Sequence, residues 1–197
     1  IESVHTVLHP TFNLAVRDDI IRKNPSDGVM AELKKKKFGR TSGVRHALTL
    51  EQQRAFLGFL SNEKYVRWKP LFVALFGTGC RIGEMIGLRW EDIDMEKHII
   101  SINHCVTYYP RRDDTYRCEF DVSLPKTESG IRTIPMLDEV QKAFLEEKAM
   151  QQKLGICCTQ EVKGMDGFIF CNRFGNLHNP AAINRAIKRI REDYNAE

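Results

Sequence analysis

The amino-acid sequence predicts an α+β protein, mostly helical, with one small three-stranded antiparallel sheet between its helices. Three observations carry this. Apolar residues recur at helical spacing through several long stretches. After Asp94 the period changes, and β-branched and aromatic runs dominate as far as Pro135. The composition is 42% hydrophobic and 28% charged, which is ordinary for a soluble globular chain, and no apolar run approaches the ~20 residues a membrane-spanning helix needs.

The elements follow in order. Val4, Val7, Leu8, Phe12, Ala15, Val16, Ile20 and Ile21 give a helical stripe over residues 4–22. That helix should stop before Asn24-Pro25, because a residue preceding proline is pushed out of the helical region. The stripe has no partner nearby in sequence, so it reads as the last helix of a domain whose earlier part lies outside the chain. The first residue, Ile1 rather than Met, suits a chain that begins inside a longer protein. Lys34 to Gly43 is a basic, glycine-punctuated linker. The expected organisation is therefore residues 1–33, a linker over 34–47, and a main domain over 48–197. Thr49 and Gln52 form a capping box that opens the main domain. Val66 to Phe76 reads as a buried helix running into Gly77 and Gly79. Ile99–Asn103, Cys105–Tyr109 and Cys118–Leu124 read as strands, Lys126–Gly130 as a turn, and Ile131–Pro135 as a short strand. A helix from Leu137 to about Leu154 follows, then a short buried strand at Phe168–Phe170. The last element is a helix over Pro180–Glu192, with Pro180 near its first position.

The net charge of +4 sits entirely in residues 1–48, which hold nine Lys/Arg against five Asp/Glu. Lys34, Lys35, Lys36, Lys37, Arg40 and Arg45 lie within 13 residues without an acid. Such a run suits a nucleic-acid backbone, and it equally suits a solvated linker. The six cysteines contain no Cys-x-x-Cys pair. They read as reduced thiols of a cytoplasmic protein rather than as disulfides or a zinc site, so no metal is expected. The start of the chain is not a signal peptide.

Chemistry concentrates in two segments. In Gly77-Thr78-Gly79-Cys80-Arg81-Ile82-Gly83-Glu84, an arginine stands just past a glycine turn at the start of a short helix, with a carboxylate one turn on. A guanidinium fixed there faces outward beside helix N–H groups and suits an anionic oxygen. Arg81 can equally be a surface residue paired with Glu84. In Pro125-Lys126-Thr127-Glu128-Ser129-Gly130, a lysine at a hairpin tip can neutralise a phosphate or donate a proton, or it can serve solubility alone.

These residues carry a resemblance. Gly-Thr-Gly-x-Arg-x-x-Glu-x-x-x-Leu-x-Trp-x-Asp-Ile-Asp at residues 77–94, followed by Pro-Lys-Thr-x-x-Ser-x-Arg-x-Ile-Pro at residues 125–135, resembles the tyrosine recombinases, also called phage integrases. The paired extended segments between the motifs look like the variant in integrases of conjugative transposons and phages of Gram-positive bacteria. Residues 1–28, with Phe12–Val16 and Ile20–Pro25, look like the end of that family's core-binding domain, so the resemblance spans nearly the whole chain. It implies site-specific DNA cleavage and rejoining through a 3′-phosphotyrosine, with no metal and no cofactor. Arg81 would hold the non-bridging oxygens of the scissile phosphate, Glu84 would buttress it, and Lys126 would protonate the leaving 5′-oxygen. Lys34, Lys35, Lys36, Lys37, Arg40, Arg45 and Arg132 would contact double-stranded DNA. The family works as tetramers.

The sequence also departs from the family. His5, His9, His46, His98, His104 and His178 are followed at the third position by Leu8, Phe12, Thr49, Ser101, Thr107 and Ala181, so no His-x-x-Arg occurs. Only Tyr194 is a C-terminal tyrosine, and no such motif precedes it. Residues 48–197 are therefore expected to be the N-terminal part of the catalytic domain, able to bind DNA weakly but not to cleave it. A non-catalytic DNA-binding protein of the same fold is the alternative, and a helical phosphate-binding protein with no link to DNA is a weaker one.

Overall fold

The computed structural model describes residues 2–35, 46–111, 117–125 and 128–196. They form two compact units, Ile1–Ala47 and Leu48–Glu197.

The first unit consists of α1 (Glu2–Arg17) and α2 (Val29–Lys35), joined by a turn. Helix α1 ends four residues before the last apolar residue of the stripe, Ile21. Asp19 takes a left-handed conformation (φ 55°), and the amide of Ile20 donates back to the carbonyl of Ala15 at 2.9 Å while that of Asp19 reaches Val16. This is a Schellman closure, with an aspartate in the place glycine usually fills. It turns Ile20 and Ile21 off the helix although their spacing continues it. Asn24 is buried and ties the turn to α1. Its Nδ2 donates to Asn13 Oδ1 at 2.7 Å and to the His9 carbonyl at 3.0 Å, while its Oδ1 accepts from the Ser26 amide.

In the second unit α3 (Leu50–Phe59) opens on the expected capping box. The Gln52 amide donates to Thr49 Oγ1, and the Thr49 amide donates to Gln52 Oε1. The expected helix from Val66 begins instead as a 3-10 turn, Val66–Trp68, because Pro70 belongs in the first turn of a helix. The α-helix proper, α4, runs Lys69–Thr78. The very short α5 (Ile82–Gly87) follows.

Strands β1 (Ile93–Asp94), β2 (Ile99–Ile102) and β5 (Arg132–Pro135) form the three-stranded antiparallel sheet in the order β1-β2-β5, with Ile100 opposite Ile134. The two residues of β1 are too short to show a period in sequence. Strands β3 (Cys105–Pro110) and β4 (Cys118–Ser123) pair separately as a two-stranded antiparallel ribbon, with Tyr108 against Phe120. Helices α6 (Asp138–Leu154) and α7 (Pro180–Tyr194) complete the fold, the latter capped by Asn179 Oδ1 on the Ala182 amide.

Phe168–Phe170, expected as a strand, is buried but unpaired along its length. It makes single bridges at its borders, Arg89 with Phe168 and Cys171 with Leu177. Its carbonyls find other partners, as where Gln151 Nε2 donates to Ile169 O at 2.6 Å. Phe144, Phe168, Leu71, Met85, Ile86, Ile100 and Ile183 fill the core between the sheet and helices α4 to α7. Each such side chain contributes roughly 1.5–3 kcal/mol by leaving water. The six cysteines are free. Among the described residues no helix is long and apolar enough to cross a membrane.

Candidate active site

The site is built where α4 gives way to α5. Helix α4 ends at Gly79 in the left-handed region (φ 63°), a conformation that favours glycine. The chain then extends through buried Cys80 to Arg81, which sits at the N-cap of α5. The Arg81 side chain is 81% exposed, whereas that of Glu84 is 8% exposed.

Glu84 is the centre of the arrangement. Its Oε2 accepts from the Arg81 amide at 2.8 Å, and its Oε1 accepts from Arg81 Nη1 at 3.1 Å. Arg132, on β5, grips the same carboxylate with two parallel bonds, Nη1 to Oε1 at 3.0 Å and Nη2 to Oε2 at 2.8 Å. Two guanidiniums therefore share one buried carboxylate, and the trio carries one net positive charge. The Arg132 bonds hold the Glu84 carboxyl down, from 4.5 to about 2. Burial opposes this, and the Arg81 amide and guanidinium add to it. The same contact raises Arg132 further above its already high value. Glu84 thus stays ionised at any physiological pH, with all its acceptor positions directed at the two arginines.

Helix α5 has six residues, too few to be stable alone. It is held by contact with β3 and by a chain of polar side chains. A Cβ on Gly83 would stand 2.6 Å from both Cys105 Sγ and the Val106 carbonyl, so the helix lies directly on the β3 backbone. At the far end of α5, the buried ring of His104 places Nε2 2.6 Å from the Gly87 carbonyl, and its Nδ1 meets Asn103 Oδ1. Asn103 in turn donates to buried Asp92, which accepts from the Arg89 amide.

The structure brings Arg81, Glu84 and Arg132 together. Arg132, expected among the DNA contacts, has both Nη groups on Glu84, a pairing that sequence reasoning missed because 48 residues separate them. Lys126 lies outside the described residues. Its neighbours Pro125 and Gly130 are described, and the Gly130 carbonyl lies 3.5 Å from Arg132 Nη1. Lys36, Lys37, Arg40 and Arg45 also lie outside the described residues. Lys34 and Lys35 close α2, with side chains outside them. Among the described residues no group of three His, Cys, Asp or Glu side chains could hold a metal ion.

A model of the phage integrase family matches residues 46–197. The transposase of transposon Tn916 from Enterococcus faecalis is 30% identical over 192 residues, covering 95% of this chain and 44% of that protein. A XerC-like tyrosine recombinase of Caldanaerobacter subterraneus is 28% identical, covering 96% of this chain and 49% of that protein. This chain therefore spans about half the length of these curated relatives. Among solved structures, the integrase of the Tn1549 transposon in complex with a circular intermediate DNA superposes with a TM-score of 0.83 at 27% identity. That match covers 100% of this chain and 58% of the other.

Proposed function

This chain belongs to the phage integrase family, and on that premise we propose that it is part of a site-specific recombinase that cleaves and rejoins DNA through a 3′-phosphotyrosine. The observation that carries the proposal is the pair of guanidiniums on Glu84. Arg132 neutralises and orients the buried carboxylate, and the carboxylate fixes the backbone and one Nη of Arg81. The rest of the Arg81 guanidinium faces solvent, where it can hold the non-bridging oxygens of a phosphate. Phosphoryl transfer depends mainly on such positioning and on neutralising charge that develops in the transition state. Lys126 would supply the proton for the leaving 5′-oxygen. Residues 1–33 would be the end of a core-binding domain. The basic run from Lys34 to Arg45 would follow the DNA backbone between the two domains. The relatives and the solved neighbour in complex with DNA support double-stranded DNA as the partner, and a tetramer in the cytoplasm is the proposed working form.

The test is duplex binding followed by fluorescence anisotropy across a salt series. Arg81→Gln should lower the log–log salt slope by about 0.9, the value of one phosphate contact, while shifting the urea midpoint less than Glu84→Gln does. An unchanged slope would refute the role of Arg81. With no His-x-x-Arg in its 197 residues, this polypeptide should form no covalent adduct with a nicked duplex; an adduct would show that the nucleophile lies within it. A protein that contains these residues and spans the full length of the relatives should form the adduct. There Arg81→Gln should slow its formation by about 10²–10³-fold, as loss of one pre-organised donor does.

A further inference from the structure

A second cluster of cations lies in the main unit, apart from the Arg81 trio. A cleft of about 530 Å³ opens between the 3-10 turn before α4, the loop over residues 170–178 and helix α7. Lys64 and Arg67, Arg173, and Arg189 reach it from three separate places in the chain. Lys64 is already engaged, since it pairs closely with Asp193, which also accepts from Tyr65 Oη at 2.6 Å. Arg67, Arg173 and Arg189 form no ion pair among the described residues. The carboxylate lining the cleft is Glu147. It is buried and bonded to Gln151 Nε2 at 2.8 Å, and burial pushes its carboxyl up, toward the neutral form.

The walls are aromatic and fixed. Trp68 packs against His178 with the rings tilted by 38° and their centroids 4.8 Å apart. Burial holds His178 down, at about 4, so its ring is neutral and the positive charge of the cleft belongs to the arginines. Arg173 lies over the ring of Phe174 at 4.7 Å. Its loop is locked by Asn172 Oδ1, which accepts the amides of Phe174 and Asn176. Asp193 lies within electrostatic reach of Arg189 and Glu147 of Arg67, but no ion pair closes on the three guanidiniums, which repel one another. An external polyanion would relieve that repulsion, and Arg is the side chain suited to phosphate.

We propose that this cleft is a second phosphate-holding site, which grips a backbone phosphate of DNA at a distance from the Arg81 site. Its choice of DNA rests on the recombinase reading; its affinity for a phosphate does not. The site positions DNA without reading sequence, as backbone contacts do.

The experiment has two arms on the 197-residue chain. In the first, Trp90→Phe leaves Trp68 as the sole tryptophan, and inorganic phosphate is titrated at constant ionic strength. A saturable change in Trp68 emission is expected, and it should be lost when Arg67, Arg173 and Arg189 are all changed to Gln. In the second, the same triple change should lower the salt slope of duplex binding by at least about 0.9. Changing all three to Lys, with an unaltered urea midpoint, should keep it. The inference is overturned if Trp68 does not respond to phosphate, if its response survives in the Gln variant, or if the Gln variant keeps the full salt slope. A phosphate response in a chain that does not bind duplex would sustain the anion site and sink the DNA reading alone.

Discussion

Replacing Glu84 with Gln removes one negative charge and keeps the shape of the side chain. The native carboxyl is held from 4.5 down to about 2, chiefly by Arg132. A displacement of that size corresponds to roughly 3 kcal/mol of stability at neutral pH. The folded carboxyl is the more acidic one, so this contribution is complete above pH 4.5 and disappears as the pH falls to about 2. Glu84→Gln should therefore be less stable than the native chain by roughly 3 kcal/mol at pH 7. The gap should narrow steadily through the window from 4.5 to 2 and close at its lower end. Urea denaturation at pH 7, 4.5, 3.5 and 2.5, fitted for the midpoint and the slope m, measures it. Arg132→Lys, which keeps the charge but loses the two-pronged geometry, should fall between the two. A gap that stays constant across the window would refute the account, because it would trace the loss to packing rather than to the ionised carboxylate.

Two further outcomes are expected. Gly83→Ala drives a methyl to within 2.6 Å of the Val106 carbonyl and Cys105 Sγ; it should destabilise the main unit by about 1–3 kcal/mol, measured by urea denaturation, and lower phosphate affinity by displacing Arg81. Changing Lys34, Lys35, Lys36 and Lys37 together to Ala should weaken binding equally across unrelated duplexes, measured by anisotropy; a loss confined to one sequence would argue against a backbone role.

Features fixed within a few residues were legible in the sequence. The Thr49 capping box, the turn at Gly79 and the start of α7 at Pro180 each follow from neighbours three or fewer positions away. Features that depend on distant partners were not. The stripe of α1 continues through Ile20 and Ile21, yet Asp19 closes the helix by taking a backbone conformation that aspartate adopts only occasionally. Phe168–Phe170 has the composition of a strand, but strand identity requires a neighbour along its length, and only its borders have one. Of the candidate site, Arg81 and Glu84 were visible as a helical pair at one-turn spacing. The hold of Arg132 on Glu84 was not, because the fold of the sheet makes it. The cleft lined by Lys64, Arg67, Arg173 and Arg189 is likewise scattered over 125 residues of sequence.

The sharing of one carboxylate by two arginines also constrains how this protein can change over generations. A lineage that loses Arg132 first keeps a buried carboxylate facing a single cation, and one that loses Glu84 first leaves two guanidiniums crowded together. Either step is harmful before the other repairs it. Positions 84 and 132 should therefore be inherited as a unit, replaced together or not at all.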